Sequence, residues 1–149
     1  MTPRGFEMVQ RSADRPTLQG RSALVTGGGS GIGLAAAAAL VADGADVTLM
    51  GRTADKLEAA AEQLRQQAPE GVRVRTSAGD VTADADVAAA VALADADQTL
   101  RIVVASAGDG TMGPVVATST EEWNRILGVT RHQIDEMRIV VHLPKEVRI

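Results

Sequence analysis

The 149 residues contain no cysteine and no tyrosine, and one phenylalanine and one tryptophan supply all the large aromatic surface. Without cysteine there is no disulfide framework, no thiolate zinc site and no cysteine nucleophile, a composition that suits a reducing compartment such as the cytoplasm. Without tyrosine, no phenol passes a proton in any reaction these residues carry out. Charge of one sign is also missing. Nineteen acidic against 15 basic residues leave a net charge of -4, and with no basic cluster or aromatic platform, nucleic acid is not expected as a partner. Residues 1–19 hold no long apolar run and mix Arg4, Glu7, Arg11, Asp14 and Arg15 with Pro3 and Pro16. They read as a loose N-terminal arm rather than a signal peptide or membrane span, and no membrane partner is expected.

What the chain does have is alanine: 26 residues within an apolar content of 45%. Helices so rich in small side chains pack closely, and the length allows a single core. From Arg21, short β-rich runs alternate with alanine-rich segments at a beat of about 25 residues, the pattern of βαβ units on a parallel sheet. Ser22–Thr26 reads as a strand buried on both faces, followed by a glycine turn and a helix near Ile32–Val41. Asp46–Met50 is a second strand. The next helix, about Ala54–Gln67, places Leu57, Ala60, Ala61 and Leu64 on one face. Val72–Ser77 alternates as a third strand nearer a sheet edge, and Thr82 is expected to cap a helix with inner stripe Val87, Ala90, Val91 and Ala94. Arg101–Ser106 is the fourth strand. A glycine-rich loop, Gly108–Pro114, then leads to Ser119, whose spacing to Glu122 is a capping box opening a helix through Trp123, Ile126 and Leu127.

The strongest motif is Thr26-Gly27-Gly28-Gly29-Ser30-Gly31-Ile32-Gly33, between a strand and a helix. Glycines let backbone N–H groups approach a pyrophosphate with no Cβ in the way, and the helix N-terminus adds donors and the positive end of a dipole. Neither G-x-G-x-x-G nor a P-loop fits this run. A tight turn that binds nothing would use the same glycines, so the later motifs have to decide. At the end of the second strand, an acid that grips a ribose 2′-hydroxyl would mark NAD. Gly51 and Arg52 stand there instead, and a guanidinium suits the 2′-phosphate of NADP, favouring NADP(H) over NAD(H) unless Arg52 is only a solvated loop charge. His132 and His142 lack a flanking ligand pattern and are read as surface residues. Asp84-Ala85-Asp86 and Asp95-Ala96-Asp97 lack the glycine and terminal glutamate of a calcium loop, so no metal site is expected. Trp123 is read as a core or interface anchor.

T-G-x-x-x-G-I-G after a first strand resembles the cofactor loop of the short-chain dehydrogenase/reductase family, and the likeness runs from about Leu18 to Val129. It implies a doubly wound, Rossmann-like α/β fold with strand order 3-2-1-4 and a dinucleotide over the carboxyl ends of the strands. The implied cofactor residues are Gly27, Gly29, Ser30, Gly31, Ile32 and Gly33 in the loop, Arg52 after the second strand, Asp80 and Val81 after the third, where the family's Asp contacts adenine, and Ser106, Ala107 and Gly108 after the fourth. Ala105-Ser106-Ala107-Gly108 stands where the family has Asn-Asn-Ala-Gly, and Val129-Thr130-Arg131 stands where it has Val-Asn-Leu. The resemblance implies an oxidoreductase of carbonyl or alcohol substrates, yet its catalytic Asn, Ser and Tyr-x-x-x-Lys have no counterparts here, so no catalytic residue is assigned.

Residues 20–130 are thus expected to form an incomplete cofactor-binding domain, cut short after about four or five strands, with 131–149 as an atypical tail. A frameshift, an early stop or a mis-placed gene end would account for that. The alternative is a non-catalytic dinucleotide-binding or interaction module that works as it stands. Met137–Leu143 reads either as a fifth strand or as out-of-frame residues with accidental β character. The apolar fourth strand would then lack its usual neighbour, and self-association is expected.

Overall fold

The structure, a computed structural model, describes residues 18–109 and 117–140, with side chains to Gln133. Residues 1–17 of the N-terminal arm, most of the Gly108–Pro114 loop, His142 and the end of the tail lie outside the described residues.

Four parallel strands, β1 (Ser22–Thr26), β2 (Asp46–Gly51), β3 (Val74–Ala78) and β4 (Leu100–Ala105), form one sheet in the order β3-β2-β1-β4. Each of the first three strands is followed by a helix, α1 (Gly31–Ala42), α2 (Ala54–Arg65) and α3 (Asp84–Asp95), and α4 (Thr120–Val140) follows β4. This is the expected Rossmann-like α/β arrangement. β1 sits between β2 and β4 and is buried along its whole length, which is why its sequence shows no polar alternation.

The two faces of the sheet bury separate clusters. Ala23, Val25, Val47 and Leu49 face Ala37 and Val41 of α1 and the Leu57, Ala60, Ala61, Leu64 stripe of α2. Leu24 and Met50 face the Val87, Ala90, Val91, Ala94 stripe of α3, with Val129 of α4 packed at its margin. The alternation of Ala23, Leu24 and Val25 between the clusters is the period-2 geometry of a strand covered on both sides. Because alanines line the helix faces, the helices lie close enough for Ser22 Oγ to donate to Ala94 O at 2.6 Å. At the amino ends of the strands the nearly buried Asp46 carboxylate accepts Arg73 N and Nε at 2.9 Å each, and Arg73 also pairs with Asp97.

Several boundaries differ from expectation. β3 begins at Val74, because Arg73 is drawn to Asp46, and β4 begins at Leu100, whose N–H is held by Asp95 Oδ1 at 2.7 Å. Thr82 does not cap α3. Ala83 occupies that position without a side-chain bond, and Thr82 instead donates its N–H and hydroxyl to Asp80 Oδ1, both at 2.8 Å. Ser119 Oγ does accept the Glu122 N–H at 3.2 Å, the forward half of the expected box. Residues 137–140 are helical, which removes them from the fifth-strand reading; residues 141–143 lie outside the described residues. Trp123 is 42% exposed and so is not a core anchor within this chain.

The packing makes one sharp prediction. Ala37 is fully buried while Ala39, in the same helix, is exposed. Ala37→Leu is expected to destabilise by about 1–3 kcal/mol through overpacking, and Ala39→Leu by no more than about 0.5 kcal/mol. Urea unfolding followed by circular dichroism measures both.

Candidate functional site

All four strands end at one rim, and the loops that leave them line a cleft of about 870 Å³. Its lining begins at Gly27, just after β1. The chain turns upward at Gly27, in the left-handed region at φ +65°, where a Cβ would lie 2.9 Å from Ala107 Cα and Ser106 O. It re-enters the sheet region at Gly33, where a Cβ would lie 2.3 Å from Gly27 O and 2.6 Å from Ser106 Oγ. Glycine is therefore required at both positions by the protein's own backbone, and the start of α1 comes as close to the β1 and β4 ends as atoms allow.

Ser30 is the N-cap of α1 and makes no side-chain cap bond. Leu34 N donates to Ser30 O at 3.2 Å, so the N–H groups of Gly31, Ile32 and Gly33 precede the first intrahelical donor. With no acid in this first turn, the helix end presents donors and a positive dipole to an anion. Of the twelve residues expected at the site, Gly31 alone does not line the cleft; it shapes the turn at φ +56°. Gly27, Gly29, Ser30, Ile32 and Gly33 all line it, with Ile32 highly exposed at the lip.

Arg52 lies at the β2 end of the cleft, followed by Thr53, the N-cap of α2, and by Lys56 in its first turn. Lys56 was not singled out from sequence, where it is one of many helix-surface charges. A Cβ on Gly29 would lie 3.4 Å from Lys56 Cγ, which places the lysine stem against the glycine loop. Asp80 and Val81 enter from the end of β3. Val81 is buried in the α3-side cluster. The Asp80 carboxyl is held below its ordinary value by hydrogen bonds from the Thr82 N–H and hydroxyl, with smaller pulls from the Arg52 and His132 charges; burial works the other way without winning. Asp80 is therefore an ionised acceptor at neutral pH.

Ser106, Ala107 and Gly108 form the wall beside β4. Ser106 N and Ala107 N both donate to Thr26 Oγ1 at 3.1 Å, and Ser106 Oγ donates to Thr26 O at 3.0 Å. α4, which is tied to this loop, also lines the cleft through Asn124, Arg125, Gly128, Val129 and His132. Arg125 pairs with Asp109. His132 Nε2 lies 2.9 Å from Asp84 Oδ1, close enough for an ion pair when protonated, though not aligned as a hydrogen bond. Gln133, one turn past Val129, was also missed from sequence. It is buried, and the signal that could have found it is its place on the helical spacing Ile126, Val129, Gln133, Met137, Val140. Among the described residues no group of His, Asp and Glu is arranged to hold a metal, and no helix is long and apolar enough to cross a membrane.

The sequence profile of the short chain dehydrogenase family matches residues 21–132. The oxidoreductase asL5 of Sarocladium schorii is 36% identical over 112 residues, 74% of this chain and 43% of that protein. Galactitol 2-dehydrogenase (L-tagatose-forming) of Cereibacter sphaeroides is 38% identical over 112 residues, 75% of this chain and 42% of that enzyme. Among solved structures, the NADPH-bound short chain oxidoreductase of Pseudomonas aeruginosa with an atypical catalytic center aligns with a TM-score of 0.72 at 31% identity, over 80% of this chain and 47% of its own. L-sorbose reductase of Gluconobacter frateurii, complexed with NADPH and L-sorbose, gives 0.64 at 30% identity, over 82% and 49%. The chain spans less than half the length of these relatives, matching their N-terminal region. With its glycine loop seated at the start of α1 and the profile match running from before β1 into α4, the chain belongs to the short-chain dehydrogenase family.

Proposed function

We propose that these residues bind NADP(H) in the cleft over the strand ends, as the cofactor-binding part of an oxidoreductase of carbonyl or alcohol substrates. The observation that carries this reading is a single cleft joining an acid-free helix N-terminus behind a glycine cradle to a second helix start flanked by Arg52 and Lys56. The α1 end would take the pyrophosphate, and Ser30, Gly31 and Ile32 would supply backbone donors. Arg52 and Lys56 would take a 2′-phosphate, and Asp80 with Val81 would flank the adenine. Ser106, Ala107 and Gly108 would bound the ribose on the other side. When bound, the nicotinamide supplies a hydride; the protein's part is to orient it.

Cofactor preference tests the cationic end. One charge-assisted contact of about 1.5–3 kcal/mol corresponds to roughly tenfold or more in affinity. NADPH is expected to bind at least that much tighter than NADH, and Arg52→Asp to erase or reverse the order. Equal dissociation constants in calorimetry would overturn the preference.

Turnover is a separate matter. The 149 residues contain no tyrosine, so the phenol on which the family's Tyr-x-x-x-Lys depends is missing from them. General acid-base assistance is typically worth about 10²–10⁴ in rate. This chain is expected to quench or shift NADPH fluorescence on binding and yet oxidise none of it with a panel of aldehydes, ketones and quinones. Turnover by purified chain that Gly31→Asp abolishes would show that another group transfers the proton.

β4 is an edge strand among the described residues, with half-buried Ile102, Val103 and Val104. An apolar edge of this kind pairs readily with another copy of itself. The chain is expected to self-associate in sedimentation velocity, and a single monomeric species at high concentration would rule this out.

A further inference from the structure

We infer that Gln133 is a positioning residue for the cleft: its side-chain amide clamps the loop after β4 onto the end of β1 and thereby fixes the glycine cradle. This rests on the proposed cofactor reading for its functional consequence, although the clamp itself does not. Gln133 is 1% exposed and does not line the cleft, so it acts through others. Its Oε1 accepts the Thr26 hydroxyl at 2.5 Å. Its Nε2 donates to Ala107 O at 2.7 Å and to Val129 O, one turn back in α4, at 3.0 Å. Both amide hydrogens and the carbonyl are thus used.

The Thr26 hydroxyl accepts from Ser106 N and Ala107 N, and its one hydrogen is directed to Gln133. Val104 O, at 3.5 Å, is the weaker alternative acceptor. Removing the amide therefore leaves Ala107 O and the Thr26 hydroxyl without their short partners in a buried place, and frees Ala107 to shift. The cradle cannot ignore such a shift. Gly27 lies against Ala107 and Gly33 against Ser106 with no room for a methyl group, so movement of residues 106–107 moves the anion-binding turn. A helix residue outside the site thus sets the spacing between its two walls.

The test compares Gln133→Leu and Gln133→Glu with the parent in the full chain. Leu fills the volume and removes every polar contact. A protonated Glu keeps one acceptor and one donor, whereas its carboxylate has no donor and faces Ala107 O and Val129 O. His132, Asp84 and Asp80, together with the 2′-phosphate itself, are ionisable neighbours common to all three proteins, so affinities are read as ratios to the parent at the same pH. NADPH is expected to bind Gln133→Leu about tenfold more weakly at every pH because, of its three lost hydrogen bonds, the two to Thr26 and Ala107 no longer hold the loop in place. For Gln133→Glu the ratio is expected near one at pH 6 and to approach tenfold by pH 9. Ionisation of the introduced carboxyl would also lower stability as pH rises, so the affinity ratios are read only where circular dichroism shows each variant fully folded. Both variants bound within twofold of the parent at pH 6 and pH 9 would overturn the inference.

Amide exchange without nucleotide separates the clamp from the cofactor reading. Ser106 and Ala107 N–H are expected to exchange at least fivefold faster in Gln133→Leu, while the β2 amides change little. Unchanged exchange at Ser106 and Ala107 would overturn the clamp even if NADPH binds. Faster exchange in a chain that fails to bind NADPH at all would uphold the clamp and sink the cofactor reading alone.

Discussion

The cleft depends on an approach too close for one carbon atom. At the start of α1 a Cβ on Gly33 would stand 2.3 Å from Gly27 O, far inside contact distance, so the helix reaches the sheet only because that carbon is missing. The rest of the upper surface follows from this contact. It places the N-terminal donors of α1 directly over the carboxyl end of β1, the central strand of the described sheet. Strand order does the remainder: with β2 and β4 on either side of β1, the connections after β1 and β4 run to opposite faces and leave a crevice between them. The glycine contact and the Thr26 bonds to Ser106 and Ala107 hold the two lips of that crevice at a fixed separation.

The two ends of the sheet are charged for different ends. At the amino ends Asp46, Arg73, Asp97 and Arg75 are paired with one another, and the most buried of them, Asp46, is satisfied by backbone and guanidinium together. Such a network secures β3 at the edge, where a strand with only one neighbour has fewer ladder bonds. At the carboxyl ends the charged groups are presented to a cleft. Alanine-lined interfaces give less apolar area per residue than leucine would. The core therefore draws on a few larger side chains, Leu24, Leu49, Met50 and Leu57, and stability and function occupy opposite rims of one thin sheet.

Most of this was legible wherever periodicity and punctuation agreed. The inner stripes of α2 and α3 are the residues the spacing picked out, because an amphipathic helix on a sheet has one way to bury its apolar face. The strand order and the cleft position follow from the resemblance. What the sequence concealed was polar and local. Thr82 has the chemistry of a cap, but its N–H and hydroxyl are turned toward the carboxylate two residues earlier, and the helix starts one residue later, after Ala83. Lys56 looks like any helix-surface lysine until Gly29 is seen beneath its stem. Gln133 falls just beyond the stretch where family likeness was seen, in a composition that reads as tail. Only the length of α4 reveals that this turn is packed against Thr26.

The distribution of charge within the cleft carries the last step. Near α4, Arg125 is paired with Asp109, and His132 lies against Asp84, so that wall offers little net field. Near α2, Arg52 and Lys56 share a helix start with Thr53 and Asp55, and Arg52 also acts on Asp80, whose carboxylate is already oriented by two donors from Thr82. Because Asp80 draws its ionised state mainly from Thr82, its contribution is lost only as pH falls through a value below the ordinary carboxylate range. Over the neutral range Arg52 therefore keeps the same charged neighbour. A ligand lying across it meets cations at one end, helix donors in the middle and a nearly neutral wall at the other. Under the proposed reading, a dinucleotide with an extra phosphate on one nucleoside would lie along that sequence of fields with the phosphate toward Arg52 and Lys56.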